Sequence, residues 1–172
     1  MDKEKYIIEN FFLPLAKNEE ALQLQNDAAL LKKKNLVIST DMMVEDQHFK
    51  KKDDPKTLAK KLLRINLSDI AAMGAVPYGF FLNLAVPRNN VDEWIKRFSL
   101  GLSEDIKQFD IKLFGGDLSH SSTIFLSMTI LGKINKICHD NNYSKVGSDI
   151  YVSGNIGDAP LGFEFSKNFN CF

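Results

Sequence analysis

Between Lys61 and Pro77 the chain reads KLLRINLSDIAAMGAVP, and this stretch restricts the fold more than any other. Leu58, Leu62, Ile65 and Ala72 recur at the three-to-four spacing of one buried helical face, and Leu67, Ile70 and Ala71 cover much of the rest. A helix this apolar belongs to a core. Asp69 falls on the same face, where an ionised carboxylate is costly unless it meets a cation or a set of hydrogen-bond donors. Gly74 and Pro77 mark the end of the helix. What Asp69 pairs with is therefore the first question about function.

A chain of 172 residues suffices for one full-sized core, or for one domain with an appendage. With 44% hydrophobic and 26% charged residues it reads as a soluble globular protein. Its 22 basic and 22 acidic residues cancel, which removes the electrostatic footprint of a nucleic-acid binder. The short runs Lys32–Lys34 and Lys50–Lys52 read as solvated loops. No apolar run reaches the length of a membrane span, and MDKEKYIIENFF lacks a signal-peptide pattern. Cys138 and Cys171 stand far apart without metal-type spacing; reduced thiols and a cytoplasmic location are expected.

The remaining elements follow from periodicity and turn residues. Tyr6, Ile7, Ile8, Phe11 and Phe12 predict a short amphipathic helix over 3–12, ended by Pro14. Ala28–Leu31 and Leu36–Thr40 predict a hairpin across Lys32–Asn35. Asp53-Asp54-Pro55 predicts a helix start. The near-continuous apolar run 79–87 predicts a strand buried on both faces or at a dimer contact. Val91, Trp94, Ile95, Phe98, Leu102, Ile106 and Phe109 form the core stripe of a helix over 91–109. Ile111–Phe114 predicts a strand running into Gly115-Gly116-Asp117, and 123–134 a long alternating strand. Asp149–Ser153 predicts a last strand, followed by a turn at 154–158 and a helix start. Strands and helices mix without regular alternation, which predicts an α+β fold: a mostly antiparallel sheet with helices on one face.

Four acids stand at predicted element ends or in apolar surroundings: Asp27, Asp41, Asp69 and Asp117. Asp41 and Asp117 are each expected to follow a strand. Hard oxygen ligands of this kind suit Mg2+, which takes carboxylates together with waters and substrate phosphates. Gly115 and Gly116 would let backbone N–H groups approach an anion closely. Several carboxylates, a glycine pair and no activated nucleophile point to phosphoryl transfer, in which the protein positions groups and neutralises charge. Against that stands the ordinary role of a single Asp as a cap or turn residue, and of a lone His such as His48, His120 or His139 as structural or solvent-facing.

Five segments, NDAALL (26–31), STDMMVEDQHF (39–49), NLSDIAAMGAVP (66–77), GGD (115–117) and GSDIYVSGNIGDAPLGF (147–163), occur in the order and approximate spacing of the thiamine-monophosphate kinase family. The chain resembles that family over nearly all its length. The family is related to aminoimidazole ribonucleotide synthetase, selenophosphate synthetase and a hydrogenase maturation protein.

The resemblance implies the N-terminal ATP-binding and dimerisation domain of the aminoimidazole ribonucleotide synthetase-like fold. It implies ATP- and Mg2+-dependent conversion of thiamine monophosphate to thiamine diphosphate by direct phosphoryl transfer. It further implies metal ligands at Asp27, Ser39, Thr40, Asp41, Asp69 and Asp117, substrate binding at His48, and a nucleotide-phosphate loop at Gly115 and Gly116; it assigns no catalytic side chain. A homodimer through the N-terminal domain is implied, with Phe80, Phe81 and Leu82 as candidate contacts.

The chain departs from the family pattern at Gln25 and Asn26, where a glycine and an aspartate are expected. It departs again at Asn141-Asn142-Tyr143, which align with an arginine-serine-glycine segment. It is expected to divide into an N-terminal α+β domain, 1–152, and the start of a truncated C-terminal domain, 153–172. Phe163, Phe165, Phe169 and Phe172 would then lie at the apolar surface between them. Two other readings follow: a truncated or split fragment that folds and dimerises but is inactive without a separate C-terminal polypeptide, or a related enzyme with another phosphate acceptor.

Overall fold

The computed structural model describes residues 3–88 and 91–135 and, beyond them, positions 146, 147, 149, 156, 157 and 161. Helix α1, Lys3–Ile7, continues into a wider turn, Ile8–Phe12, and a tight one, Leu13–Leu15, that contains Pro14. Strand β1 is Ala29–Leu31 and β2 is Leu36–Val44. They form the expected antiparallel hairpin, turned by Asn35 in the left-handed region at φ 52°. Helix α2, Pro55–Ala72, starts at Asp54, whose side chain accepts from the Lys56 N–H, with Pro55 in the first turn. Gly74, at φ 65°, turns the chain into β3, Val76–Val86. Helix α3, Asp92–Gln108, and strands β4, Lys112–His120, and β5, Phe125–Lys133, complete the described fold.

The five strands run in the order β1-β2-β5-β3-β4. Three of the four pairings are antiparallel; β3 and β4 pair in parallel. The fold is α+β, on a mixed sheet. α2 packs against β2 and β5, and α3 packs on α2. Leu126, Met128 and Ile130 of β5 and Val37 and Met43 of β2 are fully covered beneath α2, so the core lies between helix and sheet.

Several expectations need correction. β2 runs on past Thr40 to Val44, so Asp41 lies inside a strand rather than after one. β4 likewise extends through the glycines, so Asp117 and Gly115-Gly116 are strand residues. The buried arc of α2 is Leu58, Ala59, Leu62, Leu63, Asn66, Leu67 and Ile70, whereas Ile65 is half-buried and Ala72 exposed. The cause is that α2 is sandwiched between the sheet and α3, which broadens its covered arc and rotates it from the predicted stripe. Phe80 is fully buried in the chain's own core and offers no surface to a partner.

Two local features lock the α2–α3 layer. A Cβ at Gly101 would collide with the Lys56 backbone, so only glycine permits this approach of the helices. Beside it, Arg64 donates two hydrogen bonds, at 2.7 and 3.0 Å, to the fully buried carboxylate of Asp105.

The chain divides into two compact units, Met1–Asn142 and Tyr143–Phe172. In the second unit the Leu161 N–H donates to the Gly157 carbonyl at 3.0 Å. The expected strand 149–153 apart from Asp149, the expected boundary at 152–153, Cys138, His139, 141–143, Cys171 and the four late phenylalanines lie outside the described residues.

An unpaired buried carboxylate costs about 3–5 kcal/mol. Arg64→Ala should therefore lower the urea midpoint sharply by orphaning Asp105. Arg97→Ala removes a comparable pair to Asp54, a partner 37% exposed, and should barely move it. Equal effects in urea titrations of the two variants would overturn this ranking.

Candidate functional site

Ser39 is the centre of the site. Its residue is buried on the helix-facing side of β2, and its hydroxyl lies 2.6 Å from Oδ2 of Asp69 and 3.0 Å from the Asp27 carbonyl. The sequence delivers these groups from three places: Asp27 from the approach to β1, Ser39 and Asp41 from alternate positions of β2, and Asp69 from the last turns of α2. One hydroxyl proton faces two acceptors. When Asp69 is ionised, the short charge-assisted bond takes that proton. When Asp69 is protonated, its own O–H can donate to Ser39, and the hydroxyl proton is free for the Asp27 carbonyl.

Burial pushes the Asp69 carboxyl above the ordinary carboxylate range. The Ser39 hydrogen bond pulls it down, and the negative charges of Asp41 and Asp27 push it up again. Three carboxylates thus act on one another in one region, with no cation acting on Asp69 among the described residues. That donor set fits Mg2+, an ion bound through one or two carboxylates, waters and substrate phosphates rather than through a complete protein cage. Among the described residues, no group of three or more His, Cys, Asp or Glu side chains forms a ready-made metal cage.

The other expected site residues lie elsewhere. Thr40 points to the opposite face of the sheet, where its hydroxyl donates to the Met128 carbonyl at 3.0 Å and lies 3.2 Å from Thr129 Oγ1. Asp41 sits opposite Met128, Met128 opposite Leu82, and Leu82 opposite Gly116, while Asp117 belongs to the next row with Asn83, Ser127 and Met42. Asp117 is therefore three strands from Asp41, about 14 Å, and on the other face. A Cβ at Gly116 would run into the Leu82 backbone, so the close pairing of β3 and β4 itself requires a glycine there.

His48 sits in the loop after β2, exposed. Its Nδ1 accepts the Val44 N–H at 3.0 Å, which leaves the proton of a neutral ring on Nε2, available to an anion. Its carbonyl accepts from Lys61 Nζ at 2.9 Å. Three residues of strand and three of loop separate it from Asp41, so a ligand bridging the two would span about 10 Å.

Sequence reasoning missed three polar groups. Asn66 is fully buried one turn before Asp69; its Nδ2 donates to the Leu62 carbonyl, and its Oδ1 has no partner among the described residues. Glu45 is buried and accepts the Ile124 N–H at 2.9 Å. Lys61 was visible only as a charge on a helix. The segments 66–77 and 39–49 were the available signals for Asn66 and Glu45; nothing in the sequence marked Lys61.

Comparison with known proteins places these residues in context. The profile of the AIR synthase related protein N-terminal domain matches residues 25–134. A thiamine-monophosphate kinase of Leptospira interrogans is 35% identical over 146 residues, covering 84% of this chain and 47% of that protein. The structure of the thiamine-monophosphate kinase from Stenotrophomonas maltophilia aligns at a TM-score of 0.72 and 32% identity, covering 91% of this chain and 50% of the other. AaThiL complexed with AMPPCP and TMP aligns at 0.87 and 22% identity, covering 95% and 52%, a likeness of fold. The chain spans about half the length of the curated relatives it matches.

A carboxylic acid whose folded pKa is raised contributes its full stability below the unfolded value of 3.8, and that contribution is lost as pH rises through the folded value. Ionised Asp69 is thus a cost at neutral pH. Asp69→Asn should melt at or above the wild type at pH 7, with the gap closing as pH falls toward 4. Mg2+ should raise the wild-type melting temperature and leave the variant unmoved. A variant that is less stable at pH 7, or equally sensitive to Mg2+, would contradict this account.

Proposed function

The chain belongs to the family of AIR synthase related proteins, whose N-terminal domain it carries, and on that premise we propose that it takes part in ATP- and Mg2+-dependent phosphorylation of thiamine monophosphate to thiamine diphosphate. The observation that carries the reading is the gathering of Asp27, Asp41 and Asp69 around Ser39, with His48 on the adjoining loop. The similarity to thiamine-monophosphate kinases supports the choice of acceptor, and the ATP analogue and TMP bound by AaThiL support both substrates.

In this reading Asp27, Asp41 and Asp69 hold Mg2+, with Ser39 orienting Asp69 and Thr40 contributing through its main-chain oxygen. Bound Mg2+ neutralises the charge of the phosphate chains as a phosphoryl group passes between them. His48 donates from Nε2 to the phosphate of thiamine monophosphate. Gly115 and Gly116 approach the nucleotide phosphates through their backbone, and Asp117 serves a separate metal position on β4. Transfer is direct, and no side chain acts as a covalent carrier.

We place the chain in the cytoplasm; among the described residues no helix is long and apolar enough to cross a membrane. The nucleotide-binding and dimerisation domain is placed within residues 1–152, of which Met1–Asn142 form one compact unit. The outer sheet face, where Met42, Phe81 and Phe125 are exposed, supports a homodimer with Phe81 at the contact, whereas Phe80 and Leu82 belong to the helix-facing side.

The purified chain, incubated with ATP, Mg2+ and thiamine monophosphate, should yield thiamine diphosphate by chromatography, and Asp69→Asn should yield none. Product from neither protein, while the wild type still melts cooperatively, would overturn the assignment of this activity to the chain. Asp41→Asn should weaken Mg2+ binding about tenfold or more, the size of a lost charged ligand contact. In the monomeric protein Asp117→Asn should leave that binding within about twofold, because 14 Å is too far to share one cation. Equal losses from the two variants would show that the four acids act as one cluster.

A further inference from the structure

We propose that Lys61 is a positioning residue for the substrate loop, an inference that rests on the assignment of His48 to the phosphate-bearing substrate. The loop between Val44 and Phe49 is tightly built. The Val44 carbonyl accepts from the N–H groups of Gln47 and His48 at 3.2 and 2.9 Å, and the Asp46 N–H donates to the Phe49 carbonyl at 2.8 Å. Asp46 takes the left-handed conformation at φ 64° that the turn requires. Both shoulders are anchored in the core, through buried Glu45 on Ile124 and buried Phe49.

The tip is different. His48 is exposed, and among the described residues its ring is steered by the Val44 N–H on Nδ1. The bond from Lys61 Nζ to the His48 carbonyl ties this tip to α2. Lys61 stands eight residues, about 12 Å, before Asp69 on that helix. One ammonium thus fixes the distance between the anion-binding ring and the carboxylate cluster.

Its charge matters as well. Lys56 and Lys60 pair with Glu104 at 2.6 Å, and Lys50 pairs with Asp46 at 3.6 Å. Among the described residues Lys61 has a carbonyl partner and no carboxylate. Two of its three N–H donors remain for an incoming anion. The cluster of Asp27, Asp41 and Asp69 repels a phosphate, and Lys61, held on the His48 carbonyl, brings a cation without a carboxylate partner among the described residues to the loop that receives it. The consequence is specificity: Lys61 governs the affinity for the phosphorylated acceptor and not the affinity for nucleotide.

The test compares Lys61→Met and Lys61→Arg with the wild-type chain. Ligand-free nitrogen NMR of the His48 ring should show the Nε2–H tautomer in the wild type and the arginine variant, and a tautomer mixture in the methionine variant. Affinity for thiamine monophosphate, measured by calorimetry with Mg2+ present, should fall about tenfold in Lys61→Met, the loss of one charge-assisted bond. It should recover in Lys61→Arg, and affinity for the Mg2+–nucleotide should stay within about twofold throughout. An unchanged ring tautomer and unchanged acceptor affinity in Lys61→Met would overturn the proposal, as would an equal loss of nucleotide binding or an arginine variant as weak as methionine. A wild type that binds no thiamine monophosphate overturns the reading of His48 instead, and the ligand-free ring signature still decides the hold of Lys61 on the loop.

Discussion

The hydrogen bond between Ser39 and Asp69 fixes the relation of helix to sheet on which the site depends. Successive strand residues alternate faces, so a slip of one residue in β2 would replace Ser39 with Thr40 beneath α2 and turn Asp41 outward. Asp69 would then meet the bulkier, β-branched Thr40 in place of Ser39, and Asp41 would leave that face. The 2.6 Å contact thus joins the buried rows of Val37 and Met43 in coupling the register of β2 against β5 to the seating of α2. The same contact delivers three acids to one place.

Much of this was written in local pattern. The periodicity of α2 and α3, the hairpin, and Asp69 as an acid needing a partner could all be read from spacing, because each depends on residues close in sequence. The partner itself, Ser39, lies 30 residues away. Spacing offers no hint of that; the family resemblance did, by naming Ser39 and Asp69 together. The misreadings share another cause. Local pattern ends β2 and β4 early because Asp41 and the glycine pair resemble turn residues, yet β5 and β3 supply ladders that hold them extended. Tertiary pairing overrode local preference. The faces of Thr40 and Asp117 could be known only once those ladders were counted.

The sheet divides its labour by face. The helix side carries Ser39, Asp41 and the approach to Asp69, and the outer side carries Met42, Phe81, Phe125 and Asp117. Such a sheet can hold a charged site on one surface and an apolar contact on the other without either disturbing the other's packing. β4, at the edge and exposed along its whole length, belongs wholly to neither. Its glycines serve the sheet first, since Leu82 leaves no room at Gly116 for a side chain. Any service to a nucleotide is added to that structural need.

Polar groups inside the α2 layer are satisfied unequally, and the inequality follows the site. Asp105 lies fully buried toward α3 and receives two bonds from Arg64. Asn66 and Asp69, neighbours at i and i+3 toward the end of α2, are each left short. One has an acceptor without a partner among the described residues, and the other a carboxylate with one hydroxyl against two repelling charges. An unpaired buried acceptor costs about 1–3 kcal/mol. Apolar residues at both positions would make a more stable helix, as they do at Leu62, Leu67 and Ile70. Stability is thus conceded at one end of one helix, where the local rules of burial are broken together, and a bound cation with its phosphates is the kind of partner that would restore the balance there.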